Sequence, residues 1–265
     1  MDERGQNMRL PGREPIFNVP KVIVVLLAIL AIIHVWRALI SPEADVGIVA
    51  TFGFTPARFG FLIDQKAVLD SLTQLSRQSE LEAQVGQFFL TYAPPNWLWI
   101  TPLSYAFLHG DKTHLIFNCI WLAAFGAPVA RRFGAARFLL LGAIGAIAGA
   151  LTYLVLHPTE FSPMIGASAA ISAYMGAAAR FVFPVNGFLR AGWESETRPL
   201  ATFNEMVANR QTMAFIAIWF ISNLLIGMGA QTFGFSQAPI AWEAHIGGFF
   251  AGLLLAPLFD QRRKS

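Results

Sequence analysis

Ser168 stands in the stretch Met164-Ile165-Gly166-Ala167-Ser168-Ala169-Ala170-Ile171-Ser172-Ala173-Tyr174-Met175-Gly176, where a loop punctuated by Pro158 and Pro163 turns into an apolar run rich in Ala and Gly. A serine at the start of such a helix meets unpaired backbone N–H groups and the positive end of the helix dipole, both of which favour a developing negative charge. Such a place supplies half of an oxyanion hole. The plainer reading is that Ser168 only caps the helix. His245 weighs against it. It heads the series His245, Gly248, Gly252 at i, i+3, i+7, while Ser168, Ser172 and Gly176 share a face at i, i+4, i+8. Small residues along both faces let two helix backbones approach closely enough for a hydroxyl to reach an imidazole. His114 and Asn118, i and i+4 on a third run, add a ring N–H and a side-chain amide that suit a tetrahedral oxyanion beside the Ser168 N–H. His109, His114 and His245 are also the candidate metal ligands. No HExxH pattern or carboxylate accompanies them, so no metal site is expected.

The elements that must position these groups are membrane spans. The 265 residues are 55% hydrophobic and 13% charged, with mean hydropathy +0.52, too apolar for an ordinary soluble domain. An all-α polytopic membrane protein follows, with apolar runs near 22–40, 114–130, 138–156, 168–183, 212–228 and 245–259. The first follows a basic stretch, as in a signal peptide, but it is long and no clear small-residue cleavage site follows it. It is read as a retained span. Residues 1–20 are a proline-broken tail with Arg4, Arg9 and Arg13, residues 21–259 a six-span domain, and residues 260–265 a second short tail. Residues 41–97 make a long first loop. Within it Leu69, Leu72, Leu75, Leu81 and Val85 recur at helical spacing, either as a face lying on the bilayer or as part of a small packed extramembrane subdomain. The single cysteine, Cys119, excludes a disulfide framework within the chain.

The formal charge of +3 does not point to nucleic acid, because the basic residues are scattered over short loops. Of the nineteen Lys and Arg, five (Arg37, Arg58, Lys66, Arg77 and Lys112) fall on one side of the six-span scheme and the other fourteen on the N-terminal side. Both termini are therefore expected in the cytoplasm, with the protein in a bacterial-type inner (plasma) membrane. Polar residues inside spans raise a functional hypothesis by default. Counting ~1.5 Å of rise per residue from Arg131, Arg180 and Asp260 puts Asn118, Ser168 and His245 roughly 20 Å above the inner face. That is about 10 Å below the outer face of a ~30 Å core. His34 and Asn223 come out near the same height, so depth alone defines a polar layer without naming its members.

The ordered set His109-Gly110-Asp111-Lys112-Thr113-His114-Leu115-Ile116-Phe117-Asn118, Gly166-Ala167-Ser168-Ala169 and Ala244-His245-Ile246-Gly247-Gly248 with Gly252 resembles the rhomboid intramembrane serine proteases. The resemblance runs through all six spans and is best from 97 to 259. It implies a rhomboid-like six-helix bundle and a Ser-His dyad: Ser168 as nucleophile, His245 as general base and then acid, with His114, Asn118 and the Ser168 N–H holding the oxyanion. His109 also falls on a recurrent histidine of the family and is read as structural. Four positions depart from the family. GxSG reads GASA, and alanine is the smallest replacement for the missing glycine. Ser172 stands where members carry an aromatic residue against the catalytic histidine. Ile100-Thr101 replace a Trp-Arg pair, and Ala130-Arg131-Arg132 lacks the acid of Glu-x-Arg.

The reading is a serine endopeptidase that cuts single-span membrane proteins near the outer face, with no cofactor, since serine, base and oxyanion donors suffice for acyl transfer. A catalytically inactive relative that only binds transmembrane helices is one alternative. A small transporter is another, but its polar path would have to reach both faces, and the inner halves of the fourth and sixth runs are apolar. The segment between the fifth and sixth runs, with Gly227, Gly229, Gly234, Phe233, Phe235 and Trp242, reads either as a pliable apolar lid over a helix that begins at His245 or as a plain surface loop with interfacial aromatics.

Overall fold

The computed structural model describes residues 19–182, 199–229 and 241–260. Among them the regular structure is helical, and β-type pairing is confined to one isolated antiparallel bridge between Phe54 and Met164. The chain opens with α1 (Lys21–Leu39) and continues through four shorter helices of the first loop, α2 (Pro42–Phe52), α3 (Pro56–Ile63), α4 (Gln65–Gln78) and α5 (Glu80–Thr91). Side chains that accept from the first turn set their starts: Ser41 from the Ala44 N–H, Asp64 from Ala67 and Ser79 from Glu82. Short helical turns, among them α6 (Thr101–Ser104), lead to α7 (Lys112–Trp121), which Asp111 caps. A π-helical turn, Leu122–Gly126, joins α7 to α8 (Ala127–Phe133) just ahead of Pro128, which has no N–H to give the helical ladder. Then come α9 (Ala135–Leu156), α10 (Ser168–Ala179), α11 (Phe203–Ala208), α12 (Arg210–Gly229) and α13 (Trp242–Phe259).

Among the described residues each of the six apolar runs thus contains a helix. Among the described residues, α1, the continuous run Lys112–Phe133, α9 and α13 are long and apolar enough to cross a membrane, so the protein is an integral membrane protein. The α10 helix stops at Ala179, short of residue 183, and its twelve residues rise only ~18 Å. That length suffices because α10 is sheathed in protein. Every residue from Ile171 to Ala179 is buried, so its ends find partners in neighbouring chain rather than lipid.

The sheath is α9 on one side and α13 on the other. A Cβ at Gly248 would strike the Ala169 carbonyl oxygen, one at Gly252 the Ala173 carbonyl oxygen, and one at Gly176 the Phe249 carbonyl oxygen. The glycine series therefore meets Ala169 and Ala173, one position round α10 from Ser168 and Ser172. The methyl of Ala169, which replaces the missing glycine of the GxSG pattern, lies over Gly149 of α9, where a Cβ would come within 2.6 Å of it. Rings fill the lower core: Phe138 stacks on Tyr174 at 4.2 Å between centroids, and Phe133 sits between Phe181 and Phe259.

Among the described residues four arginines are buried, against the assumption that basic side chains reach for the nearest aqueous face. Arg180 donates to the carbonyls of Ala201 and Leu253 at 2.7 and 3.1 Å, so it is a poor marker of the inner boundary. Arg132 pairs with Asp260 at 2.6 Å, so the acid missing beside it in sequence arrives from the end of α13. Arg37 forks onto Asp45 and also donates to the His109 carbonyl at 2.8 Å, tying α1 and α2 to the turn ahead of α7. Arg58 donates to Ala93 and Pro94. In the first loop, residues 64–90 form two helices rather than one apolar face. Val68, Leu72, Leu75 and Leu90 gather with Ala57 on Phe161, while Leu69, Leu81 and Val85 are exposed.

Candidate active site

Two tethers hold the loop that delivers Ser168. Phe54 and Met164 exchange both backbone hydrogen bonds, at 3.0 and 2.8 Å, and the Gly166 N–H donates to the Tyr105 carbonyl at 3.0 Å. The Tyr105 hydroxyl in turn donates to the Ala146 carbonyl of α9 at 2.8 Å. Gly166 has φ of +124°, a conformation that side chains resist. A Cβ there would also lie 2.7 Å from His114 Nε2 and 3.7 Å from Ser168 Oγ. Only glycine fits between them. His114 and Ser168 therefore face the same small space across Gly166.

Ala167, not Ser168, stands at the cap position, and Ser168 is the first helical residue of α10. Its N–H has no preceding turn to take it. The hydroxyl is engaged elsewhere: Ser168 Oγ and His245 Nε2 are 2.8 Å apart. The other ring nitrogen, His245 Nδ1, lies 2.6 Å from Asn223 Oδ1 of α12. His245 does not begin its helix, since α13 starts three residues earlier at Trp242. Glu243 in that first turn pairs with His157 at 2.9 Å, which secures the earlier start. The arrangement can move a proton from a hydroxyl to an imidazole, which is the requirement for an activated serine nucleophile.

The remaining candidates divide. Asn118 is buried and donates from Nδ2 to the His114 carbonyl at 2.8 Å, leaving its Oδ1 without a hydrogen bond. Its amide carries a second N–H for an incoming group. His109 is buried, its two ring nitrogens make no hydrogen bond, and it meets the His114 ring edge-on at 5.1 Å. Burial, with His114, His34 and Arg37 close by, pushes its imidazole down to about 3, so it is neutral. His34, equal in depth to Asn223, instead lines a separate cleft with Arg37, Asp45, His109 and Asp111. Among the described residues no group of three His, Cys, Asp or Glu side chains is disposed to hold a metal ion.

Part of the expected lid is absent from where the sequence put it. Gly227 lies inside α12 and receives the Trp242 ring, so both residues belong to a helix contact rather than a pliable connection. Gly229 also lies within α12. Phe233, Gly234 and Phe235 lie outside the described residues. Asn223 was legible only as one more polar residue at the right depth. Its partner became visible once α12 and α13 were packed.

The Rhomboid domain family model matches residues 96–262. The chain is 25% identical over 169 residues to the Rhomboid protease GlpG of Serratia proteamaculans (strain 568), covering 64% of this chain and 50% of that protein. It is 28% identical, over 169 residues and with the same coverage, to the Rhomboid protease GlpG of Yersinia pestis (strain Pestoides F). The chain spans about half the length of the curated relatives it matches.

Proposed function

The chain belongs to the rhomboid family, and from that premise we propose that it is a serine endopeptidase that cuts single-span membrane proteins near the outer face of the bilayer. The observation that carries the proposal is the 2.8 Å separation between Ser168 Oγ and His245 Nε2. Ser168 Oγ attacks the scissile carbonyl while His245 Nε2 takes its proton. The tetrahedral oxyanion forms beside the Ser168 N–H, His114 and Asn118. Collapse expels the amine with the proton from His245, and water activated by the same imidazole then hydrolyses the acyl-enzyme. Six spans carry this chemistry, α10 and α12 being the two beyond the four spans named above. Both termini lie in the cytoplasm, which the basic asymmetry of the loops supports. An inactive helix-binding relative is the alternative, and a hydroxyl already at hydrogen-bond distance from a base favours the enzyme.

The test is incubation of purified protein with a panel of single-span substrates, with fragments mapped by mass spectrometry. Ser168→Ala and His245→Ala should each lower turnover to background, by roughly 10⁶-fold where such groups act as a unit, and the double variant should be little worse. Cuts should fall at the outer end of the substrate helix, where Gly or Pro eases the unwinding that exposes a carbonyl. Turnover surviving in folded Ser168→Ala overturns the nucleophile. Cuts at the inner end overturn the orientation. Absence of both turnover and fluorophosphonate labelling in the wild type favours the inactive alternative.

A further inference from the structure

We propose that Asn223 is a positioning residue that selects the tautomer of His245, making the site a Ser168–His245–Asn223 relay drawn from three helices. The inference rests on the roles proposed above for Ser168 and His245. An amide can present either oxygen or nitrogen, and here the choice is decided within α12. Asn223 Nδ2 donates to the Trp219 carbonyl at 2.8 Å. That carbonyl only accepts, so the nitrogen is spoken for and Oδ1 faces His245 Nδ1 at 2.6 Å. A carbonyl oxygen cannot donate, so Nδ1 must carry the hydrogen. A neutral imidazole has one N–H. Nε2 is therefore left with its lone pair, aimed at Ser168 Oγ at 2.8 Å, and the hydroxyl donates to it.

The order of donors runs Ser168 Oγ to His245 Nε2, His245 Nδ1 to Asn223 Oδ1, and Asn223 Nδ2 to the Trp219 carbonyl. During attack the serine proton moves to Nε2 while the Nδ1 hydrogen stays in place, so the imidazolium forms with its second N–H already satisfied. Trp219 secures the base of the relay. Trp219 and Asn223 are i and i+4 on one face of α12, and the Trp219 ring stacks on Phe249 of α13 at 4.3 Å between centroids, four residues on from His245. Glu243, the acid in the first turn of α13, is engaged by His157, so it does not compete with Asn223 for Nδ1. The titratable side chain facing His245 from α7 is His114.

Two measurements test this, one of which needs no substrate. Nitrogen-15 NMR of histidine-labelled protein, with His245 assigned by difference against His245→Gln, should find the Nδ1–H form in the wild type and a mixture of tautomers in Asn223→Ala. Kinetically, Asn223→Ala should lower kcat about 10- to 100-fold, the range of one hydrogen bond to a group that becomes charged, with KM within about twofold. Asn223→Asp should restore part of that loss, and its carboxylate should move the acid limb of the pH profile upward by about one unit or more. An Nε2–H form in the wild type overturns the proposal. So does an unchanged kcat in Asn223→Ala, or a pH profile in Asn223→Asp identical to that of the wild type. If Asn223→Ala does not fold, the wild-type spectrum and the Asn223→Asp profile decide. If the wild type turns over no substrate, the protease reading fails while the spectra still judge Asn223.

Discussion

The two sides of Ser168 are built by different means. Toward α13 the contact is backbone on backbone: Gly248, Gly252 and Gly176 leave no room for a Cβ against the facing carbonyls. Toward α7 and α12 the site is reached by side chains alone, through His114, Asn118 and Asn223, with rings such as Trp219 on Phe249 filling the space between. The difference separates two tasks. Closely packed helix backbones cannot slide past one another without clashes, so the distance between Ser168 Oγ and His245 Nε2 is a property of the fold. Side chains on neighbouring helices adjust by rotamer, so the orientations of the His245 ring and of the His114 and Asn118 side chains depend on individual hydrogen bonds.

Breaking the first side should have the largest effect. Gly252→Val places atoms on the Ala173 carbonyl, which belongs to the α10 ladder and has no free rotation. Overpacking of this kind costs typically ~1–3 kcal/mol, more when backbone must move. Turnover should fall to background and the thermal midpoint in detergent should drop. Full turnover in that variant would show that the glycine contact does not hold the pair. On the other side, Asn118→Ala should leave a folded protein with kcat lowered by roughly 10²- to 10³-fold, the range for one oxyanion donor of the kind proposed for Asn118. An unchanged kcat would show that the second amide N–H points elsewhere. The smallest effect should come from Trp219→Leu, which removes a ring stack worth ~0.5–1.5 kcal/mol beyond its buried area. Its kcat should fall roughly two- to tenfold with little change in midpoint. A loss as deep as that of Gly252→Val would erase the distinction between the two sides.

Much of this was legible from residue types. Composition alone implied helices in a membrane, because 55% hydrophobic residues and few charges leave no polar surface for a soluble domain. The spacing of Gly248 and Gly252 after His245, and of Ser172 and Gly176 after Ser168, marked two faces able to approach, since helical periodicity converts spacing into direction. The depth count was less discriminating. It took Arg131, Arg180 and Asp260 as markers of the inner face, whereas Arg180 is buried on the carbonyls of Ala201 and Leu253 and Asp260 is held by the buried Arg132. Likewise Leu69 and Leu72, three apart in one helix, end in different surroundings, one exposed and one packed near Phe161.

The sequence by itself determined that the long apolar segments are helical and which of their faces carry small or polar residues, because both follow from local spacing and side-chain size. Only the tertiary structure decided partners. His34 and Asn223 stand at the same counted depth, yet one lines a cleft beside Arg37 and the other meets His245 Nδ1. Depth along a helix is one coordinate. The direction a residue faces relative to another helix is set by how the helices cross and rotate, and that depends on contacts between residues far apart in the chain.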